Sequence, residues 1–229
     1  CMKLTTFVAL LLLTFQCVAD DLTRSLQTIE AEWASIYYTL PKSKQEAAYD
    51  ALLAKANQLS TQFPNTTEPL FWQAIIIATR AEQQDGFTAL QAIHKSRDLL
   101  QLAIKINPET ANGSAYVTLA TLYYMVPKWP IAFGDTEKAE QLFQAALKIN
   151  PNGIDTNYFY GDFLLAHNQP TEAQKYFEKA LSAPSREEQL FADNKLKDEV
   201  KLALANTKNR KINGIRNAFL SLFNSASLK

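Results

Sequence analysis

The chain has 229 residues, of which 47% are hydrophobic, and its 23 basic side chains balance 23 acidic ones. This charge balance argues against nucleic acid or an anionic membrane as the main partner, because both attract proteins with an excess of basic residues. The two cysteines are Cys1 and Cys17. Both lie within the first 19 residues, which resemble a removable leader, so no disulfide framework is expected and the fold must depend on an apolar core.

The first 19 residues resemble a secretory leader. Lys3 precedes a short apolar run, Phe7 to Leu13, and small residues suit cleavage after Ala19. The run is too short to span a membrane as a stable helix. We therefore predict that residues 1–19 are removed and that the protein is exported to the periplasm. The alternatives are a retained leader or lipidation of Cys17, whose preceding residues match a lipoprotein box poorly. Membrane association is expected only in those two cases.

Nearly everything after Asp20 is predicted to be helical. Ala, Leu, Gln, Lys and Glu recur at helical spacing, and the prolines fall between helical segments. The first predicted unit, residues 20–64, is a divergent pair of helices over 22–38 and 44–63. Further along, the polar run 81–86 is expected to connect two helices.

A short phrase then recurs along the chain. LQLAIKINP at 100–108 returns as FQAALKINP at 143–151 and, more loosely, as FEKALSAP at 177–184. Between the last two copies, Ala139 and Phe143 recur 34 residues later as Ala173 and Phe177. That period, with a proline after each copy, is the signature of a tetratricopeptide repeat, a unit that stacks on its neighbours to bury its apolar face.

The predicted fold is therefore all-α, a tetratricopeptide-repeat-like α-solenoid of antiparallel helix hairpins. One domain, 20–229, contains the divergent pair, three repeats and C-terminal capping helices. Small residues on facing helices, Ala120 and Gly161 opposite Ala139 and Ala173, are expected to allow close approach within each hairpin. The predicted boundaries after the divergent pair are 65–110, 111–152 and 153–187 for the repeats and 188–229 for the caps.

The capping region has two features of its own. Ser185 and Glu188 fit a capping box that opens a helix. A last helix carries apolar residues at helical spacing. We expect it to pack on the final repeat, and the alternative is that it docks a partner. Its apolar residues are Ile212, Ile215, Phe219, Leu222 and Phe223.

An insertion at residues 125–136 separates the two helices of the middle repeat. It contains Trp129, Ile131 and Phe133 together with two prolines, whereas connecting loops normally face water. The insertion either folds back over the groove of the stack or offers an aromatic anchor to a partner. Asp135 or Thr136 is expected to cap the helix that follows.

This insertion also carries a resemblance to a known family. VPKWPIAFGD at 126–135, followed by Lys138-Ala139-Glu140, resembles a signature of the T-component family, the periplasmic tetratricopeptide proteins associated with TRAP transporters. GIDTNYFYGDFLL at 153–165 resembles the segment that follows it there. The resemblance implies a helical stack that encloses an apolar channel. It also implies that the protein acts together with a periplasmic solute-binding protein to deliver solute to a membrane importer.

The sequence contains no recognisable catalytic constellation. Its two histidines, His94 and His167, lack the paired spacing of a zinc site, and there is no Gly-rich phosphate loop or nucleophile elbow. We therefore predict that the protein is not an enzyme and that it uses neither a cofactor nor a metal.

The first helix of each repeat is expected to line the inner surface of the stack. The row predicted there is mostly apolar and aromatic, without the Lys, Arg and Asn clamp that holds an acidic peptide tail. Such a row is either ordinary core, closed by the Trp129 loop, or a groove for a guest. The candidate groove and partner-binding residues are Phe71, Ile75, Val117, Thr121, Tyr124, Tyr158, Asp162 and Leu165, with Trp129 and Phe133 from the insertion.

These observations predict a non-catalytic periplasmic scaffold that binds a partner protein. The resemblance implies that this scaffold is a T-component-like accessory of a TRAP-type uptake system, with a solute-binding protein as the partner. The alternative function is a carrier that holds a small apolar ligand in the helical groove.

Overall fold

The computed structural model describes residues 2–207, with side chains from residue 20 onward. Within that range every regular element is helical, which confirms the predicted all-α fold. Two short 3-10 turns, Thr110–Gly113 and Glu187–Gln189, interrupt the series. The α-helices are α1 (Met2–Thr39), α2 (Lys42–Gln62), α3 (Glu68–Ala81), α4 (Gly86–Ile106), α5 (Ser114–Met125), α6 (Thr136–Ile149), α7 (Ile154–Ala166), α8 (Pro170–Ser182) and α9 (Leu190–Thr207).

Consecutive helices pack as hairpins, and the hairpins pack in series. The closest pairs are α3 with α4, α5 with α6, and α7 with α8, and α5 also contacts α7. This is the predicted tetratricopeptide-like solenoid, in which each unit buries its apolar face against the next.

The third hairpin depends on a close approach at Gly161. A Cβ atom at this position would lie 2.6 Å from Cε1 of Phe177 and 3.3 Å from the carbonyl oxygen of Ala173. Phe177 and Ala173 are completely buried. The middle hairpin uses Ala120 and Ala139 in the corresponding places, and both are completely buried too. The small residues singled out in the sequence therefore do lie where the helices are tightly packed.

Helix starts are fixed by side-chain caps at two of the turns. Asp85 accepts hydrogen bonds from the backbone N–H groups of Phe87 and Thr88 at the start of α4. At the start of α6, Asp135 accepts one from the N–H of Lys138. Asp135, rather than Thr136, is thus the cap of the helix that follows the insertion.

The two ends of the described chain also meet. α9 packs on α7 and α8, and it contacts α1 as well. α9 begins at Leu190, after the 3-10 turn, and Asp193 accepts a hydrogen bond from the backbone N–H of Arg186 at 2.8 Å. The predicted capping box of Ser185 and Glu188 is not the arrangement that opens this helix.

Two predictions concern the ends of the chain. The segment predicted to be a leader, residues 1–19, overlaps the first half of α1, and the predicted last helix, from Ile212 to Phe223, lies outside the described residues. Across the part of the chain that is described, no helix combines the length and hydropathy that a membrane span requires.

Candidate partner-binding surfaces

The predicted groove residues on α5 and α7 are joined to each other. The hydroxyl of Tyr124 donates a hydrogen bond to Oδ2 of Asp162 at 2.5 Å, and only 8% of Asp162 is exposed. The Tyr124 ring packs edge-on to Phe163, with 5.6 Å between centroids. These two candidates therefore connect neighbouring repeats.

Tyr158 lies where α7, α9 and α1 come together. Its ring is 2% exposed and packs against Phe177. Its hydroxyl and that of Tyr38 on α1 both interact with the carboxylate of Glu199 on α9. Burial raises the pKa of the Tyr158 hydroxyl far above its ordinary value, so the group stays protonated.

The remaining candidates on the first helices belong to the apolar core or pack against it. Phe71 and Val117 are buried, and the half-buried Ile75 and Leu165 contact the same core. Thr121 is half-buried and donates its hydroxyl hydrogen bond to the carbonyl of Val117 within its own helix. The predicted row is thus used in packing between helices over most of its length.

An aromatic cluster on α1 was missed by the sequence reasoning. Trp33 stacks on Tyr37, with 5.2 Å between centroids, and approaches Trp72 of α3 at 6.1 Å. Its indole N–H donates a hydrogen bond to the hydroxyl of Thr79 at 3.0 Å. Tyr38 completes the cluster against Tyr37 at 4.8 Å. The density of aromatic residues over 33–38 was the available signal, but this helix departs from the repeat pattern.

Glu199 was missed as well. It is half-buried on α9, and its Oε2 atom is shielded from solvent without a hydrogen-bond partner among the described residues. Burial raises the pKa of its carboxyl to about 7, although the hydroxyls of Tyr158 and Tyr38 oppose the shift. The sequence signal was its spacing: Glu199 follows Leu196 by three residues and precedes the buried Ala203 by four, which puts an acid on the apolar face of the helix.

Phe133 is the candidate that the insertion places against the helices. Its ring packs against His94 of α4 and Tyr123 of α5, at 5.0 and 5.2 Å between ring centroids. The guanidinium of Arg97 lies over the same ring, 4.6 Å from its centroid. Phe133 therefore anchors the insertion to α4 and α5.

The base of the insertion is closed by backbone hydrogen bonds. The N–H of Gly134 donates to the carbonyl of Pro127 at 2.9 Å, and the N–H of Asp135 donates to that of Tyr123 at 2.9 Å. A Cβ atom on Gly134 would lie 2.2 Å from the carbonyl oxygen of Val126, so only glycine fits this approach. The loop is consequently held in a defined shape.

The tip of this loop carries Trp129, the most exposed aromatic residue in the described part of the chain. Trp129 is 85% exposed and Ile131 is 58% exposed, while Ala132 beside them is 7% exposed. Lys128 and Pro130 are also exposed. We call Trp129 and Ile131 the loop tip from here on.

The histidines take structural positions. His94 packs against Phe133, and Nδ1 of His167 is 2.7 Å from the carbonyl oxygen of Phe163 in the preceding turn. In the portion of the chain with described side chains, no three His, Cys, Asp or Glu residues converge in a way that would hold a metal ion.

Comparison with known proteins supports the repeat assignment. The tetratricopeptide repeat family model matches residues 131–192, a span that runs from the loop tip through α6, α7 and α8 into α9. No curated protein matches the chain. Repeats of this type stack into extended surfaces that generally serve protein–protein interaction, which is the general class of function the match supports.

Proposed function

We propose that this protein is a non-catalytic scaffold that binds a partner protein through the loop tip. The observation that carries the proposal is the 85% exposure of Trp129 on a loop whose base is closed by hydrogen bonds. Exposing a tryptophan and an isoleucine on one loop leaves apolar surface in water, and exposed apolar patches often mark interaction sites. Tryptophan is also among the residues that most often dominate the binding energy at interfaces.

The shape of the insertion supports the same role. Because Gly134, Phe133 and Asp135 hold both ends of the loop, a partner would not have to order it on binding. Little conformational entropy is then lost, and more of the contact energy contributes to affinity. The inner residues Tyr124, Tyr158 and Asp162 are already engaged with neighbouring helices, which makes them weaker candidates for direct partner contact.

The cellular setting is also part of this proposal. The leader-like residues 1–19 favour a periplasmic location. The resemblance of the 126–135 segment to T-components favours an accessory role in a TRAP-type uptake system. In this view the partner is a periplasmic solute-binding protein, which would meet the loop tip.

The test is partner capture with single substitutions. Purified wild-type protein and Trp129→Ala are immobilised, and proteins retained from a periplasmic extract are identified by mass spectrometry. A hot-spot tryptophan is worth at least about 2 kcal/mol, so the variant is expected to lose about 30-fold in affinity for the specific partner. Thermal unfolding is expected to stay unchanged, because Trp129 is outside the core.

Phe87 provides the matched control. It is another exposed aromatic residue, 70% exposed at the start of α4, and Phe87→Ala is expected to retain the partner. Equal retention by wild type and Trp129→Ala would refute the role of the loop tip. A Tyr158→Ala variant is expected to lower the melting temperature instead, because Tyr158 is 2% exposed.

A second candidate function is carriage of a small apolar ligand. The observation in its favour is the aromatic cluster of Trp33, Tyr37 and Tyr38, whose rings are only half-buried. Native mass spectrometry of the protein purified from its own host would test it. A bound small molecule that survives gentle desalting, and that Trp33→Ala loses while Trp129→Ala keeps, would support the carrier function.

A further inference from the structure

The contact between α1 and α9 is held by one arginine at its edge. The guanidinium of Arg186, in the segment between α8 and α9, lies 2.8 Å from Oε1 of Glu30 on α1 and 2.7 Å from Oδ1 of Asp193 on α9. In the same contact, the rings of Tyr38 on α1 and Phe191 on α9 meet edge-on at 6.3 Å, and Phe191 is 46% exposed. We call this contact between the first and last described helices the seam.

Glu199 lies on the inner side of the seam. Its carboxylate interacts with the hydroxyls of Tyr38 from α1 and Tyr158 from α7. Its Oε2 atom is buried, and no group in the described ranges donates a hydrogen bond to it. An ionised carboxylate with an unsatisfied buried oxygen is costly, whereas a protonated one is much less so.

The groups that face Glu199 add to this cost. Glu82, at the end of α3, and Asp162, on α7, both act on it as like charges. Tyr37 and Tyr38 from α1 and Tyr158 from α7 are the other titratable groups there. Among the described residues, Lys42 pairs with Glu82 at 3.4 Å, and Lys197, two positions before Glu199, donates to the carbonyl of Ala183 at 2.5 Å.

We propose that the seam is a proton-controlled clasp, which is closed when the Glu199 carboxyl is protonated and loosened when that carboxyl is ionised. Loosening moves α9 away from α1 and so exposes Tyr38, whose ring packs on Phe191 of α9 and which completes the aromatic cluster with Trp33 and Tyr37. The clasp thereby links external acidity to access to this cluster.

The direction of the effect follows from linkage. Burial raises the pKa of Glu199 to about 7 in the closed state, and in an opened state the carboxyl returns towards its ordinary value near 4.5. The stabilisation of the closed state is therefore fully present below about pH 4.5 and is lost as the pH rises to about 7. Between these limits the opening equilibrium increases by about two orders of magnitude.

Hydrogen exchange on the full chain tests the proposal. Amide protection in α9 is measured from pH 5 to 8, corrected for the intrinsic exchange rate and compared with α6, which lies away from the seam. The expected result is a loss of protection of about 100-fold in α9 across this range, with little change in α6. A flat profile for α9 would overturn the proposal.

Two variants separate this mechanism from general loosening. Glu199→Gln is expected to keep α9 protected at every pH, because a neutral amide replaces the carboxylate. Glu178→Gln, at an exposed acid on α8, is the matched control and is expected to behave as wild type. A Glu199→Gln profile as steep as that of wild type would contradict the clasp.

A direct titration keeps the idea testable if Glu199→Gln folds poorly. Carbon NMR of the glutamate carboxyls in wild-type protein is expected to show one residue that titrates near pH 7. Glu82→Gln, which removes a like charge facing Glu199, is expected to shift that midpoint to lower pH. If every carboxyl titrates below pH 5.5, Glu199 does not control the seam.

Discussion

Tyr124 of α5 and Asp162 of α7 join the first helices of two successive repeats through one hydrogen bond, at 2.5 Å between the hydroxyl oxygen and Oδ2. Because Asp162 is 8% exposed, this bond forms largely out of water, where a charged acceptor strengthens it. It adds to other polar contacts between these two hairpins, such as the hydrogen bond that Ser114 of α5 donates to Asp155 of α7 at 2.5 Å.

The first prediction concerns this link. Tyr124→Phe keeps the ring packing against Phe163 and removes the donor to Asp162. A hydrogen bond to a charged group contributes about 1.5–3 kcal/mol, so we expect the free energy of unfolding to fall by about 2 kcal/mol in urea denaturation. Tyr116→Phe, on the same helix and half-buried, is the control. If the two variants lose equal stability, the link between the repeats contributes nothing specific.

The second prediction concerns the close approach at Gly161. Gly161→Ala places a Cβ atom 2.6 Å from Phe177. We expect a net loss of about 1–2 kcal/mol, since overpacking outweighs the better helix propensity of alanine. A second substitution, Phe177→Leu, makes room for the new methyl group. The free energy of unfolding is measured for both single variants and for the double variant. We expect the double variant to be more stable than the sum of the two single losses predicts.

The third prediction concerns the cap of α6. Asp135→Ala removes the acceptor for the N–H of Lys138, and we expect the free energy of unfolding to fall by about 1 kcal/mol. Asp135→Asn keeps an acceptor oxygen and is expected to lose less. Thr136→Ala is expected to be close to neutral. A larger loss of stability for Thr136→Ala than for Asp135→Ala would show that Thr136, and not Asp135, caps the helix.

The fourth prediction concerns Arg186. Arg186→Ala leaves the carboxylate of Asp193, whose side chain is 4% exposed, without its charge partner. The arginine itself is 52% exposed, so solvent screens part of the effect, and we expect a loss of about 1–2 kcal/mol. Lys175→Ala breaks the exposed pair with Glu172 and is expected to cost less than about 0.5 kcal/mol. Chemical denaturation of the two variants at equal ionic strength makes the comparison.

The repeat pattern predicted the part of the fold from α5 to α8 because the residues that carry the pattern are the ones that pack. Ala139, Phe143, Ala173 and Phe177 recur in sequence and are all completely buried. The cap of α6 was narrowed to Asp135 or Thr136, because both residue types are favoured at that position, and the structure selects Asp135. These features can be predicted from the sequence because they are either local or repeated at a fixed spacing.

The contacts made by Tyr38, Glu199 and Phe133 could not be predicted from the sequence, because their partners are distant in the chain and meet only in the folded structure. Tyr38 and Glu199 are far apart in the chain, and nothing in the spacing of either indicates that α1 contacts α9. The position of Phe133 was open for the same reason. Its contacts, His94 and Arg97, belong to the preceding hairpin, and an aromatic loop alone does not tell which side of the stack it will cover.

The closed base of the insertion separates the loop tip from the helices below. The loop is tied through Gly134 and Asp135 to its own start and to Tyr123, so its two outermost side chains can be exchanged without disturbing those helices. In the proposed partner-binding role, the choice of partner would depend on two positions, while stability would depend on the hairpins.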